Sequence, residues 1–165
     1  MAGEHRIKVI VPIAMDAAGV ANRAAQLPSE HVAPGFKPEF VAVEWGAALG
    51  DSYHDMMLMD FTVFQAGIGA EEEGYSAVVI DTVSDSGLRA LRSRLSIPVL
   101  GPGESAFHMA MTLGKKFTVL TMWDEWFPLY EKTLTEYGYW PRVASLRSIK
   151  TRPDLAELLE GKEEV

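Results

Sequence analysis

Ala77-Val78-Val79-Ile80-Asp81-Thr82-Val83-Ser84-Asp85-Ser86-Gly87 decides how this chain is read. The first four residues are apolar and mostly β-branched, the composition of a strand buried on both faces. The remaining seven are mostly polar or small, and they lead into Leu88, Leu91 and Leu95 at helical spacing. A buried strand, a polar loop and an amphipathic helix make half of a βαβ unit. Ligands of such sheets bind beyond the carboxyl ends of the strands, so the loop 81–87 is the first candidate site. Backbone N–H groups at a helix start attract anions, and the hydroxyls of Thr82, Ser84 and Ser86 add donors. The same residue types cap helices, and Asp85 or Ser86 is expected as the N-cap of the helix that follows.

The pattern repeats on either side of this unit. The run 7–13 (IKVIVPI) reads as a buried strand, and Asp16 caps a helix through Gln26. Residues 39–43 form a second strand, 46–53 a loop, and about 54–72 a long helix weakened at its end by Gly67 and Gly69. A short strand at 98–100 precedes a helix that Gly114 stops. Further strands are expected at 117–120 and 142–149, with helices at 126–137 and 154–160 and an exposed end beyond. The fold class is therefore α/β, a parallel sheet flanked by helices on both faces. The loops that matter follow Ile10, Val43, Ile80, Leu100 and Leu120.

Composition narrows the function. A formal charge of −8 disfavours nucleic acid and anionic membranes, which need a basic footprint. With no cysteine, the 165 residues hold no disulfide, thiolate metal site or catalytic thiol. The four histidines are scattered, so no metal is expected. No signal peptide or membrane-length apolar run is visible, and a cytoplasmic location is expected.

Other clusters have two readings each. Gly101-Pro102-Gly103-Glu104-Ser105-Ala106 matches G-x-G-x-x-A, but after the fourth strand rather than the first, and a tight turn is favoured over a nucleotide site. Glu104 and His108 share a helix face and could form an acid–base pair. Ser52 and His54, in Asp51-Ser52-Tyr53-His54, could reach a ligand, or Asp51 or Ser52 could simply cap a helix. Thr121-Met122-Trp123-Asp124-Glu125-Trp126 could supply an aromatic wall to a site or a packing surface.

Three segments together resemble a known family. They are Val78-Val-Ile-Asp-Thr-Val-Ser-Asp-Ser-Gly-Leu88, Ile97-Pro-Val-Leu-Gly-Pro-Gly-Glu-Ser-Ala-Phe-His108 and Leu113-Gly-Lys-Lys-Phe-Thr-Val-Leu-Thr121. In order and spacing they are similar to the aspartate/glutamate racemase superfamily, nearest its hydantoin racemase branch. The resemblance implies a flavodoxin-like lobe in a fold of two similar α/β lobes, with the site between them. It implies cofactor-independent chemistry in which two thiols move a proton next to a carbonyl. Thr82 stands where the first cysteine is expected, and of the family's substrate loop after the first strand only Pro12 remains.

The resemblance thus implies a racemase- or isomerase-like enzyme working without thiols and without a cofactor. Its substrate would be a small carboxylate or cyclic amide. Thr82, Asp81 and His54 are the candidate catalytic residues, with His108 a further candidate base. Pro12, Ser52, Val83, Ser84, Thr121 and Met122 are the candidate substrate contacts. The alternatives are a lyase of the same superfamily or a non-catalytic carboxylate-binding protein. Residues 1–165 are read as one α/β domain, mostly the first lobe, with a second lobe starting near residue 116. The family's C-terminal strand and helix are absent from the sequence, which is read as incomplete. Exposed aromatics at Trp126, Tyr130 and Trp140 suggest a homo-oligomer.

Overall fold

In a computed structural model, which describes residues 4–154 and residue 157, strands and helices alternate as expected. The strands are β1 (His5–Val11), β2 (Phe36–Ala42), β3 (Ala77–Ile80), β4 (Val99–Leu100), β5 (Phe117–Thr121) and β6 (Val143–Ser148). The α-helices are α1 (Ala17–Ala25), α2 (Tyr53–Gly67), α3 (Leu88–Arg92), α4 (Pro102–Leu113) and α5 (Phe127–Glu136). A single 3-10 turn, Asp124–Trp126, leads into α5. The helix expected at 154–160 and the exposed end beyond it lie essentially outside the described residues.

All strand pairs are parallel, but they fall into two sheets. The larger has the order β2-β1-β3-β4, and β5 pairs with β6 in the smaller. From β1 the chain crosses to β2 on one side, then returns to β3 on the other. The order therefore reverses between β1 and β3, where the loops leaving the two strands diverge and open a crevice.

Ile10 and Ile80 are register partners on one face of the larger sheet, where they form a fully buried core with Val63 of α2 and with Leu88 and Leu91 of α3. The opposite face carries Ile7, Val9 and Val79 and meets α1 near its upper end. Lower down, that face is an open apolar groove reaching Phe36, Pro38 and Leu100. A second core joins Phe107 of α4, Val119 of β5 and Leu134 of α5.

Two helix starts follow the sequence: Asp16 accepts from Gly19 N at 2.8 Å, and Ser52 accepts from Asp55 N at 3.1 Å. The start of α3 does not. Gly87 occupies its N-cap at φ 71° with no side-chain cap, and neither Asp85 nor Ser86 serves α3. A Cβ on Gly87 would lie 2.9 Å from the Asp60 carbonyl, and Gly87 N donates to Asp60 Oδ1 at 2.9 Å. Close seating of this turn on α2 leaves room only for glycine and turns Asp85 away from α3.

Candidate active site

The crevice between β1 and β3 is a cleft of about 270 Å³. Val11, Pro12, Ile13 and Met15 form its floor and one side, from the end of β1 and the loop after it. Asp81, Thr82 and Val83 enter from β3, and Gly19, Arg23 and Gln26 from α1. Leu49, Met59, Trp126, Leu129 and Tyr130 close the far side. Trp126 is fixed by donating its indole N–H to the Leu49 carbonyl at 2.7 Å, and Trp123 meets it edge-on with centroids 6.5 Å apart. An aromatic wall, one of the two readings of 121–126, is what forms.

The charged groups of the cleft lining pair with each other. Arg23 donates from Nε to Asp81 Oδ2 at 2.6 Å and from Nη2 to Asp81 Oδ1 at 2.7 Å, a bidentate fork. Arg23 also donates to Gln26 Oε1. The remaining lining is mostly apolar. Thr82 stands next to this pair, its Oγ1 3.1 Å from Ser84 Oγ, which is 2.9 Å from Ser86 Oγ. Ser84 and Ser86 are buried, so the three hydroxyls form a chain from the cleft into the interior.

Of the residues expected from sequence, Pro12, Asp81, Thr82 and Val83 come together in the cleft lining. Ser84 lies beneath Thr82. Ser52 caps α2, and His54 is 71% exposed beside Asp55, outside the lining. Thr121 and Met122 lie at the end of β5, also outside it, and Thr121 Oγ1 is buried with no hydrogen-bond partner among the described residues. Arg23 was not anticipated, although it is the one charged residue in the Ala-rich sequence of α1.

Asp85 serves a different helix from the one expected. Its carboxylate accepts from Gly103 N at 2.8 Å and Glu104 N at 2.7 Å, capping α4, and from the Tyr137 hydroxyl at 2.9 Å. Burial pushes the Asp85 carboxyl above the ordinary carboxylate range, while these three donors oppose the rise. Burial and the neighbouring Asp85 charge push the Tyr137 hydroxyl up as well. A Cβ on Gly101 would sit 2.4 Å from Asp85 Oδ1, and one on Gly103 2.1 Å from the Val83 carbonyl. The two glycines thus let a strand loop and a helix end touch. The anion position at the α4 N-terminus is filled by the protein's own carboxylate, as the tight-turn reading requires.

Glu104 and His108 do not pair. Glu104 binds Arg92 at 2.7 Å, which holds its carboxyl below the ordinary range. His108 Nε2 is 2.7 Å from the Tyr139 hydroxyl. Both serve packing around α4 rather than the cleft.

The sequence profile described as Asp/Glu/Hydantoin racemase matches residues 18–165. The chain belongs to this racemase family. A hydantoin racemase of Pseudomonas sp. (strain NS671) is 33% identical over 108 residues, 66% of this chain and 43% of the relative. The allantoin racemase of Klebsiella pneumoniae has TM-score 0.80 and 28% identity, and covers 92% of this chain and 61% of its own. Glutamate racemase from Campylobacter jejuni shares the fold alone, at TM-score 0.54 and 14% identity. The chain spans less than half the length of the curated relative it matches. The family's parallel α/β architecture is the one found, and the cleft opens at the carboxyl ends of the strands. Among the described residues, no helix is long and apolar enough to cross a membrane.

Proposed function

We propose that this chain carries the site of a cofactor-independent racemase or isomerase. In this reading it moves a proton next to the carbonyl of a small carboxylate or cyclic amide without using a thiol. One observation carries the reading: Asp81, held by Arg23, and Thr82 stand side by side in a cleft whose remaining lining is mostly apolar and which a pinned tryptophan closes. Asp81 takes the proton from the carbon next to the carbonyl. The electron pair released moves onto the carbonyl oxygen, and the Thr82 hydroxyl stabilises it there. A proton delivered from solvent to the opposite face inverts the centre, and Asp81 gives up to solvent the proton that it took. Ser84 and Ser86 hold Thr82 in place, and Pro12 and Val83 shape the contact with the substrate.

The reading also takes the protein as cytoplasmic and homo-oligomeric, with β5 opening a second lobe of the same α/β domain. A low-dielectric cleft favours the chemistry, because charge developing on oxygen there is stabilised by fixed donors rather than by water. A second reading, a binder without turnover, draws support from the bidentate Arg23 fork, which occupies both oxygens of Asp81.

Proton NMR in D2O, with a panel of hydantoins and amino acids, separates the two. Loss of the α-proton signal in the presence of protein is expected, slowed about 100-fold or more by Asp81→Asn. Thermal stabilisation by a panel member with no exchange would sink the enzyme and leave the binder.

A further inference from the structure

The helix α2 turns Tyr53, His54, Met57, Phe61 and Gln65 to solvent. None is Asp, Glu, Lys or Arg. An exposed helix face ordinarily carries charge. Here the charged residues of α2 are only half-exposed at its sides, with Asp55 against His54 and Asp60 against Lys132. Tyr53, Met57 and Phe61 follow one another at i, i+4 and i+8, a straight ridge on the helix surface. Trp45 joins the ridge from the loop after β2, its ring 6.1 Å from Phe61. Tyr53 is 76% exposed, Met57 65%, Phe61 55% and Trp45 47%. Apolar side chains of this size gathered in one patch mark a contact surface.

We infer that this ridge is where two copies of the chain meet, α2 against α2 about a two-fold axis. Three observations single out a second copy as the occupant. Met57 lies midway along the ridge, so a two-fold axis through it sets Tyr53 of one copy toward the partner's Phe61 and the reverse, as an isologous contact requires.

Area is the second. Aromatic side chains present roughly 150–250 Å² each. At the exposures above, the ridge offers on the order of 500 Å² per copy, and two copies reach the roughly 1,000 Å² that a specific interface needs.

Charge is the third. Each chain carries −8, so two copies repel over most of their surface. The uncharged ridge is where that repulsion is least. Trp126 and Tyr130, which the sequence offered as oligomer contacts, line the cleft instead. The inference specifies the surface behind the homo-oligomer reading and does not depend on the chemistry of the cleft.

Sedimentation velocity on the 165-residue chain at about 50 µM provides the test. Twice the chain mass is expected, becoming monomer when Met57→Glu or Phe61→Glu places a charge on the ridge. The circular dichroism spectrum should be unchanged, since both positions are exposed, and the melting temperature should lose its dependence on protein concentration. Addition of salt should strengthen the dimer by screening its like charges. A monomeric wild type at this concentration would overturn the inference and leave the ridge to another partner. So would a dimer that survives both substitutions but is broken by Phe36→Glu, which would place the contact on the apolar groove of the larger sheet.

Discussion

Asp85 is the residue on which the candidate site most depends without lining it. One carboxylate joins the loop after β3 to the first turn of α4 and, through Tyr137, to the end of α5. Removing it leaves two N–H donors and a half-buried hydroxyl without their acceptor, and takes the cap from α4. Asp85→Ala should therefore lower stability by about 3 kcal/mol, read as a shift of the urea midpoint with unchanged slope. Asp85→Asn should recover only part of that loss. An amide offers one acceptor oxygen where two N–H groups converge, and turns its NH₂ toward the other. Sequence could mark Asp85 as a capping residue but not name the helix, because the partners lie 18 and 19 positions away. Arg23 escaped for the same reason, its partner Asp81 being 58 positions away. Arg23→Met should free both oxygens of Asp81 and remove a cation from the cleft. If Asp81 is the base, exchange of the α-proton at pH 7 should then quicken, because the guanidinium no longer holds either oxygen.

At the scale of elements, β1 and β3 were legible because buried strands demand near-continuous apolar runs, interrupted in β1 by Lys8. The start of α2 was legible because Ser52 caps it, but its end was expected near residue 72, and the helix stops at Gly67. The separation of β5 and β6 into their own sheet was not written in either strand. It follows from which strands lie next to one another, a long-range property that no local pattern records. The edge strand β2 carries a pH-dependent fastening on its β1 side. Glu39 accepts from Arg6 Nε at 3.1 Å and Nη2 at 2.7 Å and from the Tyr75 hydroxyl at 3.1 Å, with Lys37 3.2 Å away. Hydrogen bonds from Arg6, then Lys37, pull its carboxyl down to about 2. A carboxyl lower in the folded chain than in the unfolded one stabilises the fold fully above the unfolded value. That contribution fades as pH falls toward the folded value. Glu39→Gln should lower the melting temperature at pH 7 slightly, and the gap to wild type should close between about pH 4.5 and about pH 2. Melting curves of the two proteins recorded in parallel across that range cancel the titration of every other carboxylate. A gap that stays constant to pH 2 would show that the pair contributes nothing to β2.

Across the whole molecule, the cleft belongs to no single sheet. Its Asp81 and Thr82 side grows from the four-stranded sheet, while Trp126, Leu129 and Tyr130 come from the turn and helix that link β5 to β6. A ligand in the cleft therefore touches both structural parts and should couple their unfolding. At a hundred times its dissociation constant, a ligand that binds only the folded state adds about 2.7 kcal/mol. For a domain of this length that is a rise of about 5–10 °C in melting temperature. A hydantoin with an apolar substituent should produce such a rise as one transition, seen identically by tryptophan fluorescence and by far-ultraviolet circular dichroism. Trp126→Ala should remove most of the rise, since it opens the wall and frees the Leu49 carbonyl that the indole engages. Two transitions, of which only one moves with ligand, would mean that the two sheets do not share it. The substrate contacts would then have to be sought on the β1 and β3 loops alone.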